Sequence, residues 1–190
     1  MRILALALLI AAPVAAQDAP TKAQGLAAWD EIYAVTSHPR CTNCHVDEGG
    51  VPMWNGLIYG ADTVHGMHVQ ADESRVGAET LPCRTCHIGA ASVNATPHAP
   101  PMIDDAWRLP PVELAWFGKS SKDVCEQLRD PETNDGFAMD GVASHLETSA
   151  FVAWGFNPGA GRSEPPGTLD EMVVALNLWA AAGTPCANDP

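Results

Sequence analysis

Two copies of a five-residue pattern, Cys41-Thr42-Asn43-Cys44-His45 and Cys83-Arg84-Thr85-Cys86-His87, constrain what this 190-residue chain can fold into more than any other feature. C-x-x-C-H is the attachment sequence for c-type haem. Two thiols at this spacing can add to the two vinyl groups on one edge of a porphyrin. The next residue then lies under the iron, where imidazole is a good axial ligand. With seven His in the chain, chance would place His after both Cys pairs with a probability on the order of one in a thousand. Zinc sites built from two C-x-x-C pairs keep them about 15–20 residues apart, whereas Cys83 comes 38 positions after His45 and both His would be surplus. A thioredoxin-like dithiol needs a βαβ setting, and no strand-like alternation leads into either motif. Disulfides closed within each C-x-x-C would be strained. The expected cofactors are two covalently attached haem c groups, held by Cys41, Cys44, Cys83 and Cys86, with His45 and His87 as proximal iron ligands.

The remaining sequence fits a fold wrapped on such groups. Gly and Pro number 16 each, and over 46–111 they interrupt every hydrophobic period. So long a stretch without regular elements argues against a compact fold, unless the macrocycles supply the apolar interior. Elsewhere helices are expected. Leu26, Trp29, Ile32, Tyr33 and Val35 recur at near-helical spacing over 22–36, and His38-Pro39 should end that helix, because the residue before proline disfavours the α region. Residues 120–129 read as a short helix stopping before Pro131, and 136–146 as another. Thr168-Leu169-Asp170-Glu171 is a capping box. It opens a helix whose apolar face is Met172, Val173, Leu176, Trp179 and Ala180, stopped by Gly183 and Pro185. Residues 154–159 read as an aromatic turn. Cys125 and Cys186 stand alone, and a structural disulfide between them would tie the last helix to the 120–129 helix.

Residues 1–16 have the form of a cleaved secretory signal: a basic start, an apolar run from Ile3 to Ala12, and small residues before a cut after Ala16. Ten apolar residues are too few to cross a bilayer. The expected plan is therefore a signal at 1–16, a diheme-binding region at 17–111, and a C-terminal helical region at 112–190 packed on it as one unit. The fold class is mainly α with extensive coil: a compact diheme cytochrome c, with a haem-cored loop region and a disulfide-tied helical region. A formal charge of −13 excludes nucleic acid as a partner, since phosphate binding needs a basic face.

The sixth coordination positions have several candidates: His38, His65, His68, His98, His145, Met53, Met67, Met102 and Met139. The segment between the motifs is too short to be a whole single-haem domain, which favours histidine in both axial positions. Val64-His65-Gly66-Met67-His68 gathers three potential ligands beside a flexible Gly, with His65 foremost. His38, on the proximal side of its own haem, could cross to the second iron. His68, His98 and Met102 follow as lesser candidates, and His145 reads as a surface residue.

Trp29…Ile32-Tyr33…His38-Pro39-Arg40 running into the first motif, His65-Gly66-Met67, the second motif, Trp107-Arg108-Leu109-Pro110-Pro111, Trp154-Gly155…Pro158-Gly159 and Gly183-Thr184-Pro185-Cys186 together resemble a family of small exported bacterial diheme c-type cytochromes. These proteins are labelled as an isoquinoline 1-oxidoreductase subunit. That resemblance covers most of the mature chain and implies a molybdenum hydroxylase as partner. The residues themselves suggest a periplasmic electron carrier without a stable membrane anchor. It would exchange single electrons with redox proteins that present a basic docking face, such as an exported dehydrogenase. The alternative is a haem enzyme or sensor, peroxidase-like, with one open axial site and Arg75, Arg84 or Arg108 serving the bound ligand. The surplus of His and Met favours the carrier, with no catalytic residue assigned. Because His/His ligation is expected, the oxidised protein should lack the far-red thioether-to-iron absorption band. A band of one-haem intensity would place a methionine on iron.

Overall fold

In the computed structural model, residues 18–47, 49–54, 63–88, 100, 108–134, 136–158 and 163–187 are described; residues 1–16, expected as a signal, and His98 and Met102 lie outside them. Among these residues the protein is mainly helical. Six helices run in the order α1 (Lys22–Thr36), α2 (Pro39–Thr42), α3 (Ser121–Arg129), α4 (Met139–Thr148), α5 (Ala150–Phe156) and α6 (Leu169–Ala181). Among the described residues between α2 and α3 are three short 3-10 turns and one two-residue antiparallel ladder. In that ladder β1 (Met53–Trp54) pairs with β2 (Thr63–Val64), Met53 lying opposite Val64.

Local sequence explains the strongest helix starts. Thr21 with Gln24, Ser120 with Asp123 and Thr168 with Glu171 each form a reciprocal capping box. Each box satisfies two backbone donors that a helix start would otherwise leave unpaired. Two starts differ from the sequence expectation. Helix α4 begins at Met139 rather than at Gly136. Gly136 has φ +80° and donates to the carbonyl of Pro131 at 2.9 Å, closing a turn outside the helix. Of the segment expected as an aromatic turn at 154–159, residues 154–156 are instead the end of α5, because the hydroxyl of Ser149 accepts from the N–H of Val152 and starts a helix there.

The main core is a conventional helical one. Ala28, Trp29, Ile32 and Val35 of α1 pack with Val124, Cys125 and Leu128 of α3, Ala143 of α4, and Met172, Ala175, Leu176 and Trp179 of α6. Helix α1, placed by sequence with the haem-binding loops, thus lies against the C-terminal helices. Trp29 and Trp179 meet with ring centroids 5.0 Å apart. Both are fully buried and both indole N–H groups are satisfied, by Ser121 Oγ at 2.8 Å and by the Pro185 carbonyl at 2.9 Å. A Cys125–Cys186 disulfide joins α3 to the chain just beyond α6. Closing that loop, 61 residues in sequence separation, is worth about 4 kcal/mol in the chain-entropy account. A smaller cluster of Val46, Ala71 and Leu109, with Cys44 and Met53 against it, lies among the loops.

Gly25 shows how closely α1 approaches the chain after α6. A Cβ there would stand 2.6 Å from the Cβ of Ala182 and 2.7 Å from Cγ of Pro185. Neither neighbour is the flexible end of a long side chain, so the helices must separate to admit a methyl. Gly25→Ala should therefore destabilise the protein by about 1–3 kcal/mol, despite alanine's better helix propensity. Denaturant unfolding would check this; an unchanged midpoint would show that the approach relaxes freely.

Candidate functional site

Both C-x-x-C-H motifs are wound as one helical turn. The N–H of His45 donates to the carbonyl of Cys41 at 3.0 Å, and the N–H of His87 to the carbonyl of Cys83 at 3.0 Å. Positions i, i+3 and i+4 of such a turn share one face, so each motif turns two sulfurs and an imidazole to the same side. In the first motif α2 carries Cys41, and Pro39 at its first turn favours the helical start. In the second, the 3-10 turn Cys83–Thr85 does the same work. It is reached through Gly77, whose φ of +68° and absent Cβ let the carbonyl of Leu81 pass within 2.6 Å of where a side chain would be.

The four motif cysteines are outside disulfides. Burial pushes the Cys41 thiol up to about 12 and the Cys44 thiol up to about 11, and it raises Cys83 as well. Thiols held protonated in this way are poor redox nucleophiles. Cys83 lies near enough to contribute to the rise at Cys44. Among the described residues no three His, Cys, Asp or Glu side chains gather as a cage for a bare ion.

The histidines separate by tautomer. His45 Nδ1 lies 2.7 Å from the carbonyl oxygen of Leu114, and His87 Nδ1 lies 2.7 Å from that of Pro100. A carbonyl only accepts, so each Nδ1 carries the proton and each Nε2 the lone pair. This is the arrangement of an imidazole that ligates through Nε2 and is oriented from behind. Burial lowers the pKa of His45 to about 4 and also lowers that of His87, so both rings are neutral at pH 7. His65 shares the pattern, with Nδ1 2.9 Å from the carbonyl of Gly66. Its ring centroid stands 6.1 Å from that of His87. With metal–imidazole bonds of about 2 Å and ring centres about 1 Å beyond each nitrogen, two trans ligands would have centroids about 6 Å apart. The separation of His65 and His87 is one that two imidazoles sharing a single iron would have.

The other sequence candidates have different surroundings. His38 caps α2: its Nδ1 accepts the N–H of Arg40 at 3.2 Å. With that lone pair engaged, the proton of the neutral ring sits on Nε2, the wrong tautomer for ligation there. His68 and Met67 are exposed and both have positive φ. His145 is exposed in the last turn of α4, with Phe137 beside its ring at 5.8 Å, yet it is close enough to contribute to the low pKa of His45. Arg75, a candidate for serving an open iron, is buried. Its guanidinium donates to the carbonyls of Pro110 at 2.8 Å, Val46 at 3.1 Å and Asp47 at 3.4 Å, bracing the chain just after the first motif. Arg84 and Arg108 are exposed.

Sequence reasoning missed what orients the His45 and His87 rings. The carbonyls of Leu114 and Pro100 carry no side-chain signal. Trp116, whose indole lies on the His45 ring with centroids 3.6 Å apart and planes 3° apart, stands in no recognisable motif. No family model, curated protein or solved structure matches the chain.

The two roles read for His38 and His65 can be told apart. His38→Ala should lower stability by about 1 kcal/mol, the usual cost of a lost N-cap, and leave the low-spin spectra of the purified protein unchanged. Loss of a low-spin signal in this variant would return His38 to the ligand set.

Proposed function

We propose that this chain is a periplasmic diheme c-type cytochrome that carries single electrons between redox partners, receiving them from an exported dehydrogenase such as a molybdenum hydroxylase. The observation that carries the reading is the opposition of His65 and His87 at 6.1 Å, each with Nδ1 at a backbone carbonyl. Cys41 and Cys44 would hold one haem above His45, and Cys83 and Cys86 the other above His87, with His65 on its far side. A haem iron held this way supplies a reversible one-electron couple. The protein's own part is to hold, orient and insulate. Leu114 and Pro100 keep the proximal rings in the ligating tautomer, and Val46, Ala71 and Leu109 keep water from the first motif.

If His65 and His87 fill both positions of the second iron, that iron would have no place for a substrate, which favours electron transfer over ligand chemistry there. The guanidinium of Arg75, engaged with three carbonyls, weighs against the peroxidase-like alternative. Export is supported by the Cys125–Cys186 disulfide, which belongs to an oxidising compartment, and by the apolar N-terminal run. Among the described residues no helix is long and apolar enough to cross a membrane. The net charge of −13 suits a partner with a basic docking face, in a fast and salt-sensitive encounter.

Expression in a host that attaches haem c should give a coloured protein whose mass exceeds the polypeptide by two haems. The native protein should not bind carbon monoxide at the second iron. His65→Ala should open that iron alone, so that about one equivalent of carbon monoxide binds. A colourless product of bare polypeptide mass would end the cytochrome reading, and ready binding of carbon monoxide at the second iron of the native protein would end the axial-pair assignment.

A further inference from the structure

The segment after Leu114 grips the first motif at four points. Besides the Nδ1 bond to the Leu114 carbonyl, the carbonyl of His45 accepts the N–H of Trp116 at 2.9 Å and that of Phe117 at 3.0 Å. The Trp116 indole lies flat on the imidazole at 3.6 Å. The hydrogen bond alone leaves the ring free to rock about the line from Nδ1 to the carbonyl, and a parallel aromatic face removes that freedom. The indole is itself held: its Nε1–H donates to Gln127 Oε1 at 2.7 Å, and Gln127 lies on α3, the helix that the disulfide ties to the end of the chain.

We propose that Trp116 is the positioning residue of the first haem's proximal ligand, fixing the plane of the His45 ring and lowering the reduction potential of that haem. This rests on the haem reading above and deepens it. Rotation of an axial imidazole about its bond to iron changes how its π orbitals meet those of the metal, so the ring plane is written into the spectrum of the ferric state. The π face of indole attracts positive charge, and the ferric form has one positive charge more than the ferrous. A stacked indole therefore favours the oxidised state, as does a carbonyl that draws on the Nδ1 proton. Gln127 transmits the orientation of α3 to the ligand through the indole. At His87 one ring neighbour is His65, with centroids 6.1 Å apart.

Trp116→Leu and Trp116→Phe are compared with the native holoprotein, after mass has established the number of haems. Electron paramagnetic resonance resolves the low-spin signals, and the signal that His65→Ala removes belongs to the second iron. In Trp116→Leu the other signal should move, and the reduction equilibrium of that haem should shift severalfold towards the ferrous form; tenfold would be 59 mV for one electron. The second iron should be unaltered. Trp116→Phe, which keeps a flat ring and loses the bond to Gln127, should fall between. Should Trp116→Leu assemble with one haem only, Trp116→Phe decides on the same readouts. A two-haem variant in which the first signal is unmoved and the equilibrium shifts less than twofold would overturn the proposal. Native protein without haem would instead overturn the functional reading, and mass alone shows that.

Discussion

A backbone carbonyl 69 residues downstream holds the ring proton of His45, and much of the structure can be understood from that requirement. An imidazole ligates only through a nitrogen that bears a lone pair, and a neutral ring has one such nitrogen. Something must therefore hold the proton on the other. Water would do so without fixing direction. A carbonyl does both, but only if the chain carrying it is held in register with the motif. The backbone bonds from Trp116 and Phe117 to His45, and the bracing of Val46, Asp47 and Pro110 by Arg75, provide that register. Pro100 serves His87 in the same way from 13 residues away.

The helical body supplies the rigidity behind these contacts. The sequence places a helical region beside loops that wrap the macrocycles, and α1, α3, α4 and α6 build an apolar core of their own, centred on Trp29, Ile32, Leu176 and Trp179. The motifs hang from this body at two places: α2 follows directly from α1, and the 114–117 segment leads into α3. The first motif is thus fastened to the body on both sides of its imidazole. The second lies further out in the loops, and His65 comes to it from β2, which pairs with β1 after the first motif.

How much of this could be read in advance depended on the range of the interaction. Helices α1, α3 and α6 were legible because a cap and an apolar stripe are written within a dozen residues. The motif cysteines and their histidines were legible because i, i+3, i+4 spacing is local geometry. His65 stood out by its neighbours. His38 stood out for the same reason, and only the direction of one hydrogen bond shows that it caps α2. The start of α4 and the existence of α5 turned on Gly136 and Ser149, whose roles depend on backbone conformation rather than on composition.

From the chain alone came the chemistry on offer: two sites with the same three side chains in the same order, an acidic and loop-rich setting, and two spare cysteines. Short-range rules suffice for these, since they concern residues within one turn of each other. Which imidazole faces which, which nitrogen keeps its lone pair, and which tryptophan lies on His45 were decided by tertiary structure. Those relations join residues far apart in sequence through carbonyls and ring faces, groups whose identity is common to many residues and whose position alone makes them specific.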